Sequence, residues 1–169
     1  MWSSRNTFLA LALSMVLAAG CGYQFAGSSS SAPFVLPEGH RTLAMKEVVN
    51  PTLETWLEPD LRSMIRDEFS KRGKIRWTPL DQADATMSVQ VLKYSETANI
   101  KNERGDTLKR EVRLSLEAKL FNRSDGLLIW ESGPIAVYET YLQGGLQEAR
   151  EAVTARAIRM LADRMAHAY

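Results

Sequence analysis

The side chain with the clearest chemistry in this sequence is Cys21, its only cysteine. It follows an apolar stretch over residues 8–18 and the small residues Ala19 and Gly20, with Arg5 as a positive flank. A run of about 11 apolar residues is too short to cross a bilayer but has the length of a signal-peptide core. Small residues before a cysteine are typical of bacterial lipoprotein signals, in which a diacylglyceryl group alkylates the thiol and the chain is cleaved just before it.

We therefore predict a signal peptide over residues 1–20 and, on Cys21, a covalent diacylglycerol and an N-acyl chain such as palmitate, with no other cofactor. Several acyl chains, at about 0.8 kcal/mol per buried methylene, hold a protein on a bilayer far more firmly than one chain. Leu17 lies one position earlier than the leucine of the usual motif, so an ordinary secretory signal followed by a free thiol is the alternative. A lone cysteine cannot form an internal disulfide, which favours lipidation. Gly22, in place of an aspartate after the cysteine, favours sorting to the outer membrane.

A second group of candidate residues is basic and surrounds a predicted turn at residues 99–110. Its members are Lys101, Arg104, Lys109 and Arg110. A lysine offers a phosphate group a compact charge and an arginine offers a planar fork of donors, so this segment is a candidate binding tip. The alternative is a solvated loop, because Glu103 and Asp106 lie within it. Three strand residues would extend the basic patch if they share a face: Lys93, Arg113 and Lys119.

Residues that could form a catalytic or metal centre are too scattered to define one. The two histidines, His40 and His167, are far apart in the sequence, and zinc sites need several cysteine or histidine ligands. No serine or cysteine can be assigned both a base and a group that orients the base. Glu54, Glu58 and Asp60 lie where a helix is predicted to start, and the helix dipole alone attracts acidic residues there. We predict that the protein is not an enzyme.

Composition indicates one globular domain on a flexible tether. Without Arg5 the chain has 20 basic and 20 acidic residues, a balance that argues against nucleic-acid binding. Gly27 and the serines at 28–31 indicate a tether over residues 21–35, and residues 36–169 are enough for one domain with a core. No second apolar run approaches the length of about 18 residues that a membrane-spanning helix needs.

Hydrophobic spacing predicts two amphipathic helices. The first has an apolar stripe at intervals of three and four over residues 57–69. Thr55 and Glu58 have the spacing of a capping box, with the proline after Glu58 as the competing start, and Gly73 is predicted to end the helix in a left-handed conformation. The second helix is predicted over residues 146–169, which contain neither glycine nor proline.

Alternation of apolar and polar residues predicts four main strands and one short strand. They span residues 42–49, 86–97, 112–120 and 127–138, the last interrupted by a Gly-Pro pair, with the short strand at 75–78. Between 112 and 120 the even-numbered residues are apolar and the odd-numbered residues are polar. That strand therefore has one buried face and one solvated face.

The order of the main elements is β-α-β-β-β-α, which predicts an α+β two-layer sandwich. A right-handed crossover makes the first two main strands parallel, and short turns make the later ones antiparallel. The result is a mixed, mostly antiparallel sheet of about four strands. Two helices can share a core with one sheet only if both cover the same face, so the face with Arg113, Glu117 and Lys119 is predicted to stay polar.

Six short motifs occur in a recognisable order along the chain. They are Cys21-Gly22-Tyr23, Leu36-Pro37-Glu38-Gly39, Asn50-Pro51-Thr52, the helix end at Phe69 to Gly73, Ala83-Asp84-Ala85, and Asp-Gly-Leu-Leu-Ile-Trp at residues 125–130. In this order they resemble the lipopolysaccharide-assembly lipoprotein family, LptE. The resemblance covers nearly all of residues 21–169 and depends on order and spacing, since none of the motifs is specific by itself.

The resemblance implies an outer-membrane lipoprotein on the periplasmic side that sits inside the β-barrel of the lipopolysaccharide translocon, an LptD-like protein. Such a lipoprotein helps the barrel fold, plugs its lumen and can bind lipopolysaccharide, so the basic residues above become candidates for lipid A phosphates or for the barrel wall. Tyr138 and Tyr141 are further candidates for contact with a partner. The alternatives are a stand-alone periplasm-facing lipoprotein that binds a glycolipid or serves an envelope transport system, and an envelope enzyme.

Overall fold

The computed structural model describes residues 36, 40–73, 75–101, 107–142 and 144–168. The predicted signal peptide, the predicted lipidation site at Cys21 and the candidate Arg104 lie outside these ranges. Within them, neither helix combines the length and the apolar character that would let it cross a membrane.

The described strands form one mixed sheet with two helices. Along the chain the elements are β1 (Thr42–Val49), α1 (Leu57–Arg72), β2 (Arg76–Trp77), β3 (Ala85–Lys101), β4 (Thr107–Asn122), β5 (Leu128–Glu131), β6 (Ile135–Tyr141) and α2 (Leu146–Ala166). The sheet order is β2-β1-β3-β4, and β5 and β6 both pair with the far side of β4. β1 runs parallel to β2 and β3, and the other pairs are antiparallel. The predicted α+β class and the parallel pairing of the first two main strands are confirmed.

The sheet has six strands where about four were predicted, because the short strand β2 joins it and the last predicted strand is split in two. Between β5 and β6, Ser132 N donates to Ala118 O at 2.9 Å, and Ser132 Oγ accepts a hydrogen bond from Ala118 N at 2.9 Å. Gly133 then adopts a positive φ of 60°, and Pro134 has no N–H to give to the ladder. The chain bulges out for three residues and returns to β4 at Ile135.

The hairpin of β3 and β4 is longer than predicted. β3 continues to Lys101 and β4 begins at Thr107, so Lys101, Lys109 and Arg110 lie in paired strands and not in a loop. In the sequence around residues 98–110 the alternation of apolar and polar residues is lost. Main-chain pairing continues without the hydrophobic pattern that would have indicated it.

The core lies between both helices and one face of the sheet. Buried side chains of the sheet and of both helices form one cluster, which includes Leu57, Leu61, Ile65 and Phe69 of α1, Val112, Leu114 and Leu116 of β4, and Val153, Ala157 and Leu161 of α2. The guanidinium of Arg72 joins the helices, because it bonds Glu68 within α1 at 2.5 Å and Asp163 of α2. The predicted placement of both helices on one sheet face is confirmed.

The predicted capping box and the predicted left-handed glycine at the ends of α1 are wrong. Trp56 precedes the helix with helical backbone angles, φ −70° and ψ −27°, whereas a side-chain cap needs extended backbone at that position. No side-chain cap hydrogen bond is made, so Thr55 and Glu58 do not form a capping box. Gly73 is extended, with φ −136° and ψ 172°, and not left-handed.

A carboxylate fixes the start of β1 against the start of β3. Asp84 Oδ2 accepts hydrogen bonds from Arg41 N at 2.9 Å, Thr42 N at 3.0 Å and Thr42 Oγ1 at 2.8 Å. Asp84 N in turn donates to Thr42 Oγ1 at 2.9 Å. The hydrogen bonds from the Arg41 backbone and from Thr42 lower the pKa of Asp84 below its usual value. The Ala-Asp-Ala motif therefore sets the register at which the parallel pair begins.

Candidate partner-binding face

No described element covers the side of the sheet that faces away from the helices, and we call this side the polar face. In β4 the even-numbered residues from Val112 to Leu120 are buried, so the odd-numbered residues point away from the core. The strand registers place polar side chains of four strands on this side. They include Glu47, Ser88, Gln90, Lys93, Ser95, Thr97, Lys109, Glu111, Arg113, Ser115, Glu117, Lys119, Tyr138 and Thr140.

Opposite charges on the polar face are arranged in close pairs. Arg113 approaches Glu111 with an N–O distance of 2.8 Å, and Lys119 approaches Glu117 at 3.6 Å, each pair two residues apart along β4. The side chains of Arg113 and Lys119 remain about half exposed, at 52% and 43%. Ion pairs at a solvated surface contribute only about 0–1 kcal/mol, so the half-exposed cations Arg113 and Lys119 can exchange partners readily.

The structure brings most of the predicted basic residues to this one surface. Lys93 is opposite Ser115 and diagonal to Arg113, and alternation along β4 places Lys109 on the same side as Lys119. Lys93, Arg113 and Lys119 therefore share one face of the sheet, which the sequence alone could not establish. Arg110 points the other way: it pairs with Ala98 and Tyr141 on the side of the helices.

The described part of the polar face has a shallow groove and no group of residues that could hold a metal ion. The groove measures about 200 Å³ and crosses the ends of β1 and β3 to β4. Residues of both charges line it, with Val49 and Phe121 as apolar members; the charged ones are Lys46, Glu47, Glu117 and Lys119. Such a surface can exchange hydrogen bonds with a polar partner over a wide area.

Five side chains that sequence reasoning did not connect form a cluster on the helix side, which we call the Arg150 cluster: Glu54, Trp56, Tyr94, Glu96 and Arg150. Arg150 donates to Glu96 Oε1 from Nε at 3.0 Å and from an Nη at 2.8 Å, and its guanidinium lies 5.1 Å from the centre of the Trp56 ring. Trp56 Nε1 donates to Glu54 Oε2 at 2.7 Å, and Tyr94 packs edge-on against Trp56. The cluster ties α2, β3 and the start of α1 together.

Hydrogen bonding inside the Arg150 cluster shifts the titration of its members. Burial and the hydrogen bond to Glu96 raise the pKa of Tyr94 well above its usual value. Burial alone would raise the pKa of Glu96, but the hydrogen bonds from Tyr94 and Arg150 outweigh it and lower that pKa. Both shifts keep Glu96 charged and Tyr94 protonated near neutral pH, which suits a fixed structural link. The only signal in the sequence was a polar Arg150 on the exposed side of a helix, and it does not identify its partners.

Comparison with protein families gives one match over most of the described domain. The model of the LptE family, described as lipopolysaccharide-assembly, matches residues 41–168. A search of curated proteins found no significant match.

Solved structures share the fold at low sequence identity. The uncharacterized lipoprotein B of Nitrosomonas europaea is 12% identical, with a TM-score of 0.55 over 84% of this chain and 88% of that one. Protein CT253 of Chlamydia trachomatis is 11% identical, with a TM-score of 0.53 over 75% and 96%. A minor lipoprotein of Acinetobacter baumannii is 12% identical, with a TM-score of 0.52 over 80% and 95%. At such identities these likenesses concern the fold alone.

Proposed function

The chain belongs to the LptE lipopolysaccharide-assembly family, and on this basis we propose that it assists the assembly of an LptD-like β-barrel in the outer membrane and plugs the lumen of that barrel. The family consists of non-enzymatic, envelope-associated lipoproteins. The barrel partner, the plug role and the outer-membrane location are parts of the proposal.

The observation that supports a plug most directly is the polar face. The interior of a wide outer-membrane barrel is lined by polar side chains, so an occupant must offer hydrogen-bonding groups and balanced charge. The face offers serines, threonines and both signs of charge across β1, β3, β4 and β6. The side chain of Arg113 is half exposed, so its guanidinium can turn to groups of the barrel wall at small cost.

A rigid plug would act as a template for the barrel. The domain buries its own core without using the polar face, so the face is formed before any partner arrives. A body that binds the correctly closed barrel better than misfolded forms shifts the population towards the closed form. A lipid on Cys21 would raise the concentration of the plug at the membrane where the barrel assembles.

Two lysines of the polar face are the best placed to meet the phosphates of lipopolysaccharide. Among the described side chains, neither Lys93 nor Lys109 has an ion-pair partner, whereas Arg113 and Lys119 each have a carboxylate within 4 Å. A phosphate can therefore bind Lys93 or Lys109 without displacing an acidic group. Lys101 and Arg110, near the end of the same hairpin, remain candidates, as does Arg104, which lies outside the described residues.

Affinity purification from detergent extracts tests the proposal. The lipidated protein, carrying a C-terminal tag, should recover one large outer-membrane β-barrel that mass spectrometry identifies. The double charge reversal Arg113→Glu with Lys119→Glu should lower that recovery by roughly tenfold, the effect of a lost hot spot, while circular dichroism and thermal stability stay close to wild type.

Arg159→Glu is the matched control, because Arg159 is an exposed cation of α2 on the opposite side of the molecule. It should leave barrel recovery unchanged. If the wild-type protein brings down no barrel, the plug function is wrong. If the face variant and the Arg159 control behave alike, the polar face is not the contact surface.

A further inference from the structure

The two long edges of the sheet differ in how far their main-chain groups are already hydrogen-bonded. At β6 and the bulge just before it, guanidinium groups of α2 occupy main-chain acceptors: Arg156 donates to Tyr138 O of the strand at 2.9 Å, and Arg164 donates to Ser132 O at 2.6 Å and Pro134 O at 3.0 Å in the bulge. An edge whose carbonyls are already bonded is a poor template for another strand.

The edge of β3 has no such cover over much of its length. β1 pairs with β3 only as far as Gln90, and the chain then turns away at Asn50. From Lys93 to Ala98, β3 pairs regularly with β4 on one side, and no described residue bonds its main chain on the other side. Six residues span about 20 Å of unpaired donors and acceptors at the spacing of a β-ladder.

The turn between β1 and α1 forms a groove with this edge and presents an apolar side chain there. Leu53 is 97% exposed, although the turn around it is well braced. Asn50 Oδ1 accepts from Thr52 N at 3.1 Å and from Thr52 Oγ1 at 2.7 Å, and Asn50 Nδ2 donates to Glu54 O at 2.8 Å. The groove measures about 440 Å³, and Thr52, Leu53, Glu54 and Tyr94 to Glu96 line it.

We infer that this groove receives an extended strand of the barrel partner, which adds to the sheet by main-chain pairing with Lys93 to Ala98. Only an extended polypeptide repeats donors and acceptors at the spacing that the free edge presents. Lys93, Ser95 and Thr97 belong to the polar face as well, so a partner seated on that face already reaches the edge. The inference rests on the proposed plug function and names a second contact of the same partner.

The side chains around the groove define the chemistry of the added strand. Lys93 has no ion pair among the described residues and favours an acidic side chain opposite it. Ser95 and Thr97 favour polar neighbours on the same side of the strand. On the other side, Tyr94 and Leu53 favour an apolar side chain. The expected strand therefore alternates acidic or polar residues with apolar ones.

Hydrogen exchange on the full-length lipidated protein, free and bound to the barrel, tests strand addition directly. Those amides of Lys93 to Ala98 that do not donate to β4 should exchange roughly tenfold more slowly in the complex, while the edge of β6 at Ile135 to Tyr141 changes little. In parallel, a photo-crosslinking residue at position 53 should join the barrel through one extended segment of it. The same residue at position 127, another exposed leucine, serves as the matched control and should give little or no product.

The outcomes separate this inference from the plug function. A variant Leu53→Asp, which changes a fully exposed side chain and should fold normally, is expected to lower barrel recovery by roughly tenfold. If the barrel is recovered but the amides at the β3 edge do not exchange more slowly, strand addition is wrong and the proposed plug function stands. Crosslinking of position 53 to a second copy of this chain also refutes strand addition. If no barrel is recovered, both the plug function and strand addition are wrong.

Discussion

The hydrogen bonds onto Asp84 allow a stability prediction with a defined pH dependence. In Asp84→Ala the backbone N–H groups of Arg41 and Thr42 and the hydroxyl of Thr42 lose their common acceptor. A hydrogen bond to a charged group contributes about 1.5–3 kcal/mol when buried. Asp84 is exposed, so water replaces part of each hydrogen bond in the variant. We therefore expect the loss of all three bonds to lower the free energy of unfolding by about 2 kcal/mol. For a domain of this size that corresponds to a fall in Tm of roughly 6–10 °C.

The pH dependence follows from the lowered pKa of Asp84. Because the folded pKa lies below the unfolded value, the stabilisation is fully present above the unfolded pKa of about 4 and is lost as the pH falls through the folded pKa. Urea unfolding of wild type and Asp84→Ala should therefore differ at pH 7 and converge in acid. Asp84→Asn keeps one acceptor oxygen and should give an intermediate loss without this pH dependence.

Asp81 offers the matched control, since it is an exposed carboxylate three residues away and its side chain makes no hydrogen bond recorded among the described residues. Asp81→Asn should change the free energy of unfolding by less than about 0.5 kcal/mol. The reasoning is refuted if Asp84→Ala is as stable as this control at pH 7. It is also refuted if the gap between wild type and Asp84→Ala is the same at pH 7 and in acid, because the charged carboxylate would then not be its source.

Three further predictions concern the core, the Arg150 cluster and the anchor. Phe69→Ala removes a fully buried ring beneath Trp77 and should lower the free energy of unfolding by about 3–5 kcal/mol in urea titrations; a smaller loss would show that the site collapses. Arg150→Ala should lower the free energy of unfolding by about 1–2 kcal/mol and shift the fluorescence of Trp56. Arg150→Lys should recover only part of this stability, because lysine lacks the planar fork of donors. Cys21→Ser should move the protein from the membrane to the soluble fraction and abolish labelling by radioactive fatty acid, and retained labelling would exclude lipidation at this residue.

Sequence reasoning succeeded where one physical pattern dominated. β1 runs from Thr42 to Val49 as predicted, and the proline after Asn50 gives its end, although its first four residues are all buried and do not alternate. The stripe of α1 and the buried side of β4 were readable because each element has one face in the core. Even the interruption of the last strand was visible, since the Gly-Pro pair at Gly133 disrupts any ladder.

The features that sequence reasoning missed depend on contacts between distant segments. Gly73 was predicted to be left-handed, but it is extended, so the glycine by itself did not determine how the helix ends. Arg150 meets Glu96 across 54 positions of sequence, and no local pattern marks that contact. The ion pairs of the polar face were also hidden, because alternation showed which residues share a face and not which of them are bonded.

The division of the sheet into closed and open surfaces constrains the order of assembly. Apolar burial is completed by the two helices on one face, so the domain gains nothing in its own stability from keeping the other face clear of apolar residues. A face held polar and only loosely paired with itself is suited to contacts that form later, because each exposed pair contributes at most about 1 kcal/mol and can be exchanged. The edges show a similar asymmetry: Arg156 bonds a carbonyl of β6, whereas no described residue bonds the edge of β3 beside a braced, fully exposed Leu53. Under the proposed plug function, a domain built in this way should fold first and present both surfaces ready-made, so that the barrel closes around it and not the reverse.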